Sequence, residues 1–182
     1  LYYNPVTKDI VTVYDNSETT YLNAGKTTRQ GFEFSGSYSP VESFTFGGSY
    51  AYQDYTYDRF YEVVNNQTID RSGKRVPWTP MHQYSLFAEY RHELGLKARV
   101  TTLTNDGWQM NNANTNDYGG SWFITNLMVG WDINPQHSLS LNVDNLFNEH
   151  YAIEAKKDAR SGAETFTGAP PRSFLVTYTA KF

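Results

Sequence analysis

The 182-residue chain contains no cysteine, which removes disulfides, thiolate metal sites and cysteine nucleophiles together. It has no apolar run near the ~20 residues that a membrane-spanning helix needs, and its mean hydropathy is negative. Aliphatic residues are scarce: 39% of the chain is hydrophobic and 16% aromatic, leaving about 23% for Ala, Val, Ile, Leu and Met. That is thin for a water-soluble core. Basic charge is not in excess either. Lys and Arg number 15 against 19 Asp and Glu, net −4, and no basic stripe points to nucleic acid. Helical periodicity is nearly missing, and only Ile153–Arg160, rich in good helix formers, predicts a turn or two of helix. The missing apolar run rules out a transmembrane helix within these residues. It does not exclude a transmembrane barrel, whose apolar residues sit at every second position and average out to a polar reading.

What is present in quantity is aromatic residues (15 Tyr, 11 Phe, 4 Trp) and alternation with period two. Phe32, Phe34 and Tyr38 share a face opposite Glu33, Ser35 and Ser37. The same pattern runs through Phe44 to Gln53, Gln83 to Tyr90, Leu96 to Thr102, Phe123 to Asp132, Ser138 to Asp144 and Ser173 to Phe182, with a weaker strand around Asp9 to Tyr14. About eight antiparallel strands are expected. The polar face carries Glu33, Glu89, Lys97, Arg99, Asp132, Asp144 and Lys181, charges that could not fill a dry core without a heavy desolvation cost.

The connections alternate in length. Those at 39–43, 91–95 and 133–137 are tight, whereas those at roughly 15–25, 57–80, 104–120 and 146–171 are long. Such a rhythm puts every tight turn at one end of the sheet and every long loop at the other, as in outer-membrane barrels. Aromatic residues flank the apolar face at both ends, as two membrane–water interfaces favour. Tyr38, Phe44, Tyr90, Trp131 and Phe182 are expected near the tight turns, and Tyr52, Tyr55, Trp122, Phe123 and Phe174 near the long loops. Two other readings stay open at this point: a complete, small eight-stranded outer-membrane barrel serving as an adhesin, stability protein or membrane enzyme, and a soluble ligand-binding barrel. Across the tight turn at 91–95, the pattern predicts that Tyr90 faces Leu96, Ala88 faces Ala98 and Glu89 faces Lys97.

No catalytic constellation stands out, and no cofactor motif is present. His82, His92, His137 and His150 lack metal-site spacing. Asn112, Asn114 and Asn116 resemble a calcium loop superficially, but Asp117 holds the place of the turn glycine and Phe123 that of the distal Glu, so a solvated loop is expected. No metal site is expected. In the loop at 57–80, Arg59, Arg71, Lys74 and Arg75 lie with Trp78, and the loop at 104–120 adds Trp108 and Tyr118. Cations beside aromatic rings suit an anionic, ring-bearing ligand.

Asn142-Val143-Asp144-Asn145-Leu146-Phe147-Asn148-Glu149-His150-Tyr151 resembles the penultimate-strand motif of TonB-dependent outer-membrane receptors, and Gly168-Ala169-Pro170-Pro171-Arg172 resembles their lead-in to the last strand, with one extra Pro. Asn23-Ala24-Gly25-Lys26 through Gly31-Phe32-Glu33, and Gly73-Lys74-Arg75-Val76-Pro77 to Pro80, fit the same pattern, as does the terminal Phe182. The resemblance implies that residues 1–182 are the C-terminal part of a barrel of roughly 22 strands in the bacterial outer membrane, without its N-terminal plug. It implies import of a ferric siderophore or a related scarce chelate, energised through TonB, which engages a segment before the plug. It also implies that Phe174, Val176, Tyr178 and Phe182 form a signal read by the outer-membrane assembly machinery. The strand at 173–182 is expected to pair with 138–145 on one side only.

Overall fold

The computed structural model describes residues 1–7, 10–15, 18–23, 25–119 and 122–181; within these, the side chains of 11–15, 19, 20, 22, 23 and 122 are not described. The chain is all-β, with no helix among the described residues. Eight strands form one antiparallel sheet: β1 (Tyr2–Thr7), β4 (Lys26–Val41), β5 (Phe44–Arg59), β8 (His82–Arg91), β9 (Leu96–Asn105), β12 (Trp122–Asn134), β13 (His137–Asp144) and β16 (Ser173–Ala180), in that order. The remaining strands pair off within the long connections. They are β2 (Ile10–Asp15) with β3 (Glu18–Asn23), β6 (Tyr61–Val64) with β7 (Gln67–Asp70), β10 (Trp108–Gln109) with β11 (Asp117–Tyr118), and β14 (Ala152–Lys157) with β15 (Glu164–Gly168). Each tight turn therefore lies at one end of the sheet, and each hairpin-bearing loop at the other.

Two elements depart from expectation. Ile153–Arg160 is not helical. Its first part is β14, paired with β15 from Ala152↔Gly168 to Lys157↔Glu164. The helix propensity of Ala, Glu and Lys is overridden because Ala152 and Ala155 are buried (6% and 0% exposed) against neighbouring loops. The first strand of the sheet is Tyr2–Thr7, paired with Gly31–Lys26, whereas Ile10–Asp15 belongs to a loop hairpin and Asp9 lies outside the described residues.

The sidedness of the strands holds across the sheet. Phe34 opposes Tyr50 and Tyr50 opposes Tyr84; Ala88 opposes Val100, Val100 opposes Leu127 and Leu127 opposes Val143. Leu139, Leu141 and Val143 then oppose Tyr178, Val176 and Phe174. The result is one unbroken apolar face, and it is open: Phe34 is 69% exposed, Leu86 63%, Val176 67% and Tyr178 60%. A monomer in water rarely shows so large an apolar patch, and this face is what a lipid-facing sheet requires. It also argues against the soluble-barrel reading, in which the apolar face would be the enclosed one. Tyr38, Phe44 and Trp131 mark its tight-turn end, and Phe123 and Phe174 its long-loop end, all exposed. Tyr55 does not join them. Its hydroxyl meets that of Tyr2 at 3.1 Å and Arg29 sits 5.7 Å from its ring, on the polar face, because odd-numbered residues of β5 point that way. The side chain of Trp122 and all of Phe182 lie outside what is described.

The register between β8 and β9 is two residues from the expected one. Arg91 faces Lys97, Tyr90 faces Ala98, and Glu89 faces Arg99. The turn is longer than the sequence suggested. The His92 N–H donates to Leu96 O (2.8 Å), the Gly95 N–H donates to His92 O (2.9 Å), and Gly95 has φ +80°. This is a turn followed by a glycine bulge, and a Cβ on Gly95 would lie 2.3 Å from Asp132 O. A shift of two preserves faces, so Glu89 still meets a cation: Arg99 Nη1 lies 3.0 Å from Glu89 Oε2 and Arg91 Nε 2.6 Å from Oε1. Arg99 also lies 4.0 Å from the Phe87 ring centroid.

As expected, β16 pairs with β13 alone, from His137↔Ala180 to Asp144↔Ser173. Sheet order leaves β1 and β16 at the two edges, with no further strand partner among the described residues. The two motif segments meet at the start of β16. Asn145 and Asn148 have φ +51° and +55°, Asn145 Nδ2 donates to Glu149 O (2.9 Å), and the Arg172 N–H donates to Asn148 Oδ1 (3.0 Å). Asparagine tolerates the left-handed region and hydrogen-bonds its own backbone, so this turn anchors the last strand to the one before it.

Candidate functional site: the long-loop layer

A transmembrane strand needs ~9–11 residues, yet β4 and β5 have 16 each. The excess carries Tyr57, still paired with Thr27 of β4, into a layer built with the long loops. The packed interior of the chain is concentrated there. Tyr57 and Phe60 (both 1% exposed) form one cluster with Val76 against them. Trp108, Met110 and Ala155 form another, with Trp78 and Tyr118 packed on it.

The first loop folds as a hairpin because Asn65 and Asn66, at φ +52° and +61°, supply the paired left-handed residues of a two-residue turn. Alternation then buries Glu62 and Val64 and exposes Tyr61 and Val63. Glu62 is 2% exposed. Both carboxylate oxygens are satisfied, by Arg71 Nε (2.8 Å) and Asn112 Nδ2 (2.9 Å), and Asn112 Oδ1 accepts the Tyr57 hydroxyl (2.7 Å). A buried carboxylate is tolerated only with such partners. At the hairpin's far end, the Ser72 hydroxyl and backbone N–H (2.8 Å) hold the Asp70 carboxyl below its usual range.

The asparagines of the second loop do more than face solvent: Asn112 is buried, and Asn114 and Asn116 are half-buried and bonded to other loops. Asn112 is 3% exposed and binds Tyr57 and Glu62. Asn114 clamps the Arg75 backbone, accepting its N–H (2.7 Å) and donating to its carbonyl (3.0 Å). Asn116 donates to Glu164 (3.1 Å) and accepts from Lys157 Nζ (2.5 Å). Their amides make cross-links between loops.

The five candidate ligand residues fall into different settings. Arg71 is held by Glu62, with its side chain 14% exposed. Lys74 is exposed, at a turn formed by Gly73 (φ +77°). Trp108 and Tyr118 pack ring to ring, 4.9 Å between centroids. The Trp108 indole N–H donates to Ala155 O (3.2 Å), and the Tyr118 hydroxyl accepts the Ala152 N–H (2.6 Å). Arg75 and Trp108 share the wall of an open depression of about 460 Å³ with Asp106, Gln109 and Asp117. Arg75 Nε is buried there without a hydrogen-bond partner. So the structure brings Arg75, Trp108 and Tyr118 into one neighbourhood and sets Arg71 and Lys74 apart. Glu62, Met110 and Ala155 escaped the sequence reading, and Asn112 was noticed only as a solvated loop residue. The Asn65-Asn66 turn and the Tyr61–Val64 alternation were the signals that a hairpin, with a buried face, begins there.

The open sheet, the outward apolar face and the one-ended loop layer define a piece of an outer-membrane barrel. The family model for the TonB dependent receptor-like β-barrel matches residues 1–146, and the chain belongs to that family. Its members are outer-membrane proteins of bacteria. Among curated proteins, the chain is 26% identical over 175 residues to the catecholate siderophore receptor Fiu of Escherichia coli, covering 93% of this chain and 22% of that protein. Among solved structures, it is similar in fold to the siderophore receptor PiuA of Acinetobacter baumannii (TM-score 0.77, 21% identity, 99% of this chain and 25% of that one). It is also similar in fold to the ferric yersiniabactin uptake receptor FyuA of Yersinia pestis (TM-score 0.74, 18% identity, 99% and 26%). The chain thus spans about a quarter of the length of each relative.

Proposed function

We propose that this chain is the C-terminal part of the barrel of a receptor that imports a ferric siderophore or a similar scarce metal chelate across the outer membrane, energised through TonB. The observation that carries this reading is the family match, joined by a relative that covers 93% of the chain and is a catecholate siderophore receptor. Energy coupling and the plug belong to the remaining length of such a receptor. Within this chain, the contribution to uptake is made by the loop layer, where Arg75 supplies positive charge beside the rings of Trp108 and Tyr118, and the exposed Lys74, next to Arg75 in sequence, adds charge outside that neighbourhood. The outward face meets lipid, and the β16 stripe of Phe174, Val176 and Tyr178, with Phe182, is read by the assembly machinery.

The test uses the full-length receptor in cells starved of iron, with uptake of a radiolabelled ferric catecholate as the readout. Reversing Lys74 and Arg75 together to Glu should lower uptake at limiting substrate by about tenfold or more, with surface labelling unchanged. Unchanged uptake at limiting substrate removes these residues from the site. Uptake of no ferric chelate by the unaltered receptor overturns the substrate class.

A further inference from the structure

The long loops after β5, β9 and β13 are joined at buried and part-buried positions, and the joining residues concentrate in one short segment, 108–118. Toward the first loop, Asn112 bridges the Tyr57 hydroxyl and the Glu62 carboxylate, and Asn114 grips the Arg75 backbone. Gln109 O accepts the Trp78 N–H (3.0 Å). Toward the third loop, Trp108 and Tyr118 hold Ala155 O and the Ala152 N–H, Met110 O accepts the Lys157 N–H (3.1 Å), and Asn116 takes the Lys157 ammonium.

We propose that these three loops move as one body, with 108–118 as the shared hub, so that a disturbance in the first loop is felt in the third. The physical reason lies in where the contacts are made. Glu62, Asn112, Met110 and Ala155 are each 3% exposed or less. A hydrogen bond lost there leaves a buried group unsatisfied, which costs far more than the same bond at a wet surface. Local opening of one loop would strand partners in the next, so the cheap opening is a joint one. Exposed loops joined by solvated contacts would open independently. The proposal makes no use of the substrate and stands whether or not the transport reading does.

Amide hydrogen exchange on the full-length receptor in detergent micelles tests it, with heat-modifiable gel mobility to select assembled barrels. Tyr57→Phe deletes only the hydroxyl that binds Asn112. Exchange should rise about tenfold in peptides from 60–72 and also in those from 152–168. Thr68→Ala, an exposed change in the same loop, should leave 152–168 as it was. The reciprocal change, Lys157→Met, should speed exchange in 60–72, and it decides the matter if Tyr57→Phe does not assemble. A rise confined to the loop that bears the substitution, or no rise at all, overturns the proposal.

Discussion

Glu62 shows how one residue can look unremarkable in a sequence and be decisive in a fold. It lies in a loop, and only the Tyr61–Val64 alternation before the Asn65-Asn66 turn hints at a buried face, yet it is 2% exposed with Arg71 and Asn112 on its two oxygens. Removing one partner of a buried pair costs about 3–5 kcal/mol, chiefly by stranding the other charge. Arg71→Ala in the full receptor should therefore lower the temperature at which the loops become protease-sensitive, while Glu62→Gln, which can still accept from Arg71, should lower it less. Equal effects would show that shape rather than charge matters at this position. The Glu89–Arg99 pair is the contrasting case. It is partly solvated (15% and 39% exposed), so charge reversal of both residues together should change stability by no more than about 1 kcal/mol in urea titration of the assembled barrel.

At the scale of elements, side chains that alternate were readable and those whose place depends on a turn were not. Phe34, Leu86, Val100 and Val176 show their face through period two alone. The β8–β9 register depended on whether the turn at 92–95 took a glycine bulge, and period two is blind to a slip of two. The register now makes a direct prediction: in an otherwise cysteine-free receptor, Glu89→Cys with Arg99→Cys should cross-link through a short bifunctional thiol reagent much faster than Glu89→Cys with Lys97→Cys. The reverse order of rates would reinstate the register first expected. Gly95→Ala should destabilise the hairpin by about 1 kcal/mol or more, because its φ is +80° and its Cβ would meet the Asp132 carbonyl; similar urea midpoints for the variant and its parent would rule that out. The candidate site was half legible for the same reason. The residue types that suit an anionic ligand were visible, but Arg71 and Arg75 are sorted by long-range contacts, Arg71 to the Glu62 that Asn112 also binds and the Arg75 backbone to Asn114, which no local pattern reports.

For the molecule as a whole, the two sheet edges and the last strand are where the proposed assembly role can be tested. An unpaired backbone edge in lipid costs several kcal/mol per group, so β16 must find a partner beyond β13 in the complete barrel. Deleting Phe182 from the full receptor should lower its outer-membrane yield and expose it to periplasmic proteolysis, while molecules that do assemble keep their ligand affinity; normal surface labelling after the deletion would remove Phe182 from the assembly signal. The placement of the packed interior carries a different consequence. In most proteins, loops are the places where sequence can drift. Here, among the described residues, the buried clusters of Tyr57 with Phe60 and of Trp108, Met110 and Ala155 lie in the loop layer, while the apolar face of the sheet is exposed. Antibodies and phages that reach the cell surface would meet a scaffold with little freedom to vary. Escape from them would have to come from the exposed tips, such as Asn65-Asn66 and Ser161-Gly162, and the buried positions beneath would stay fixed from strain to strain.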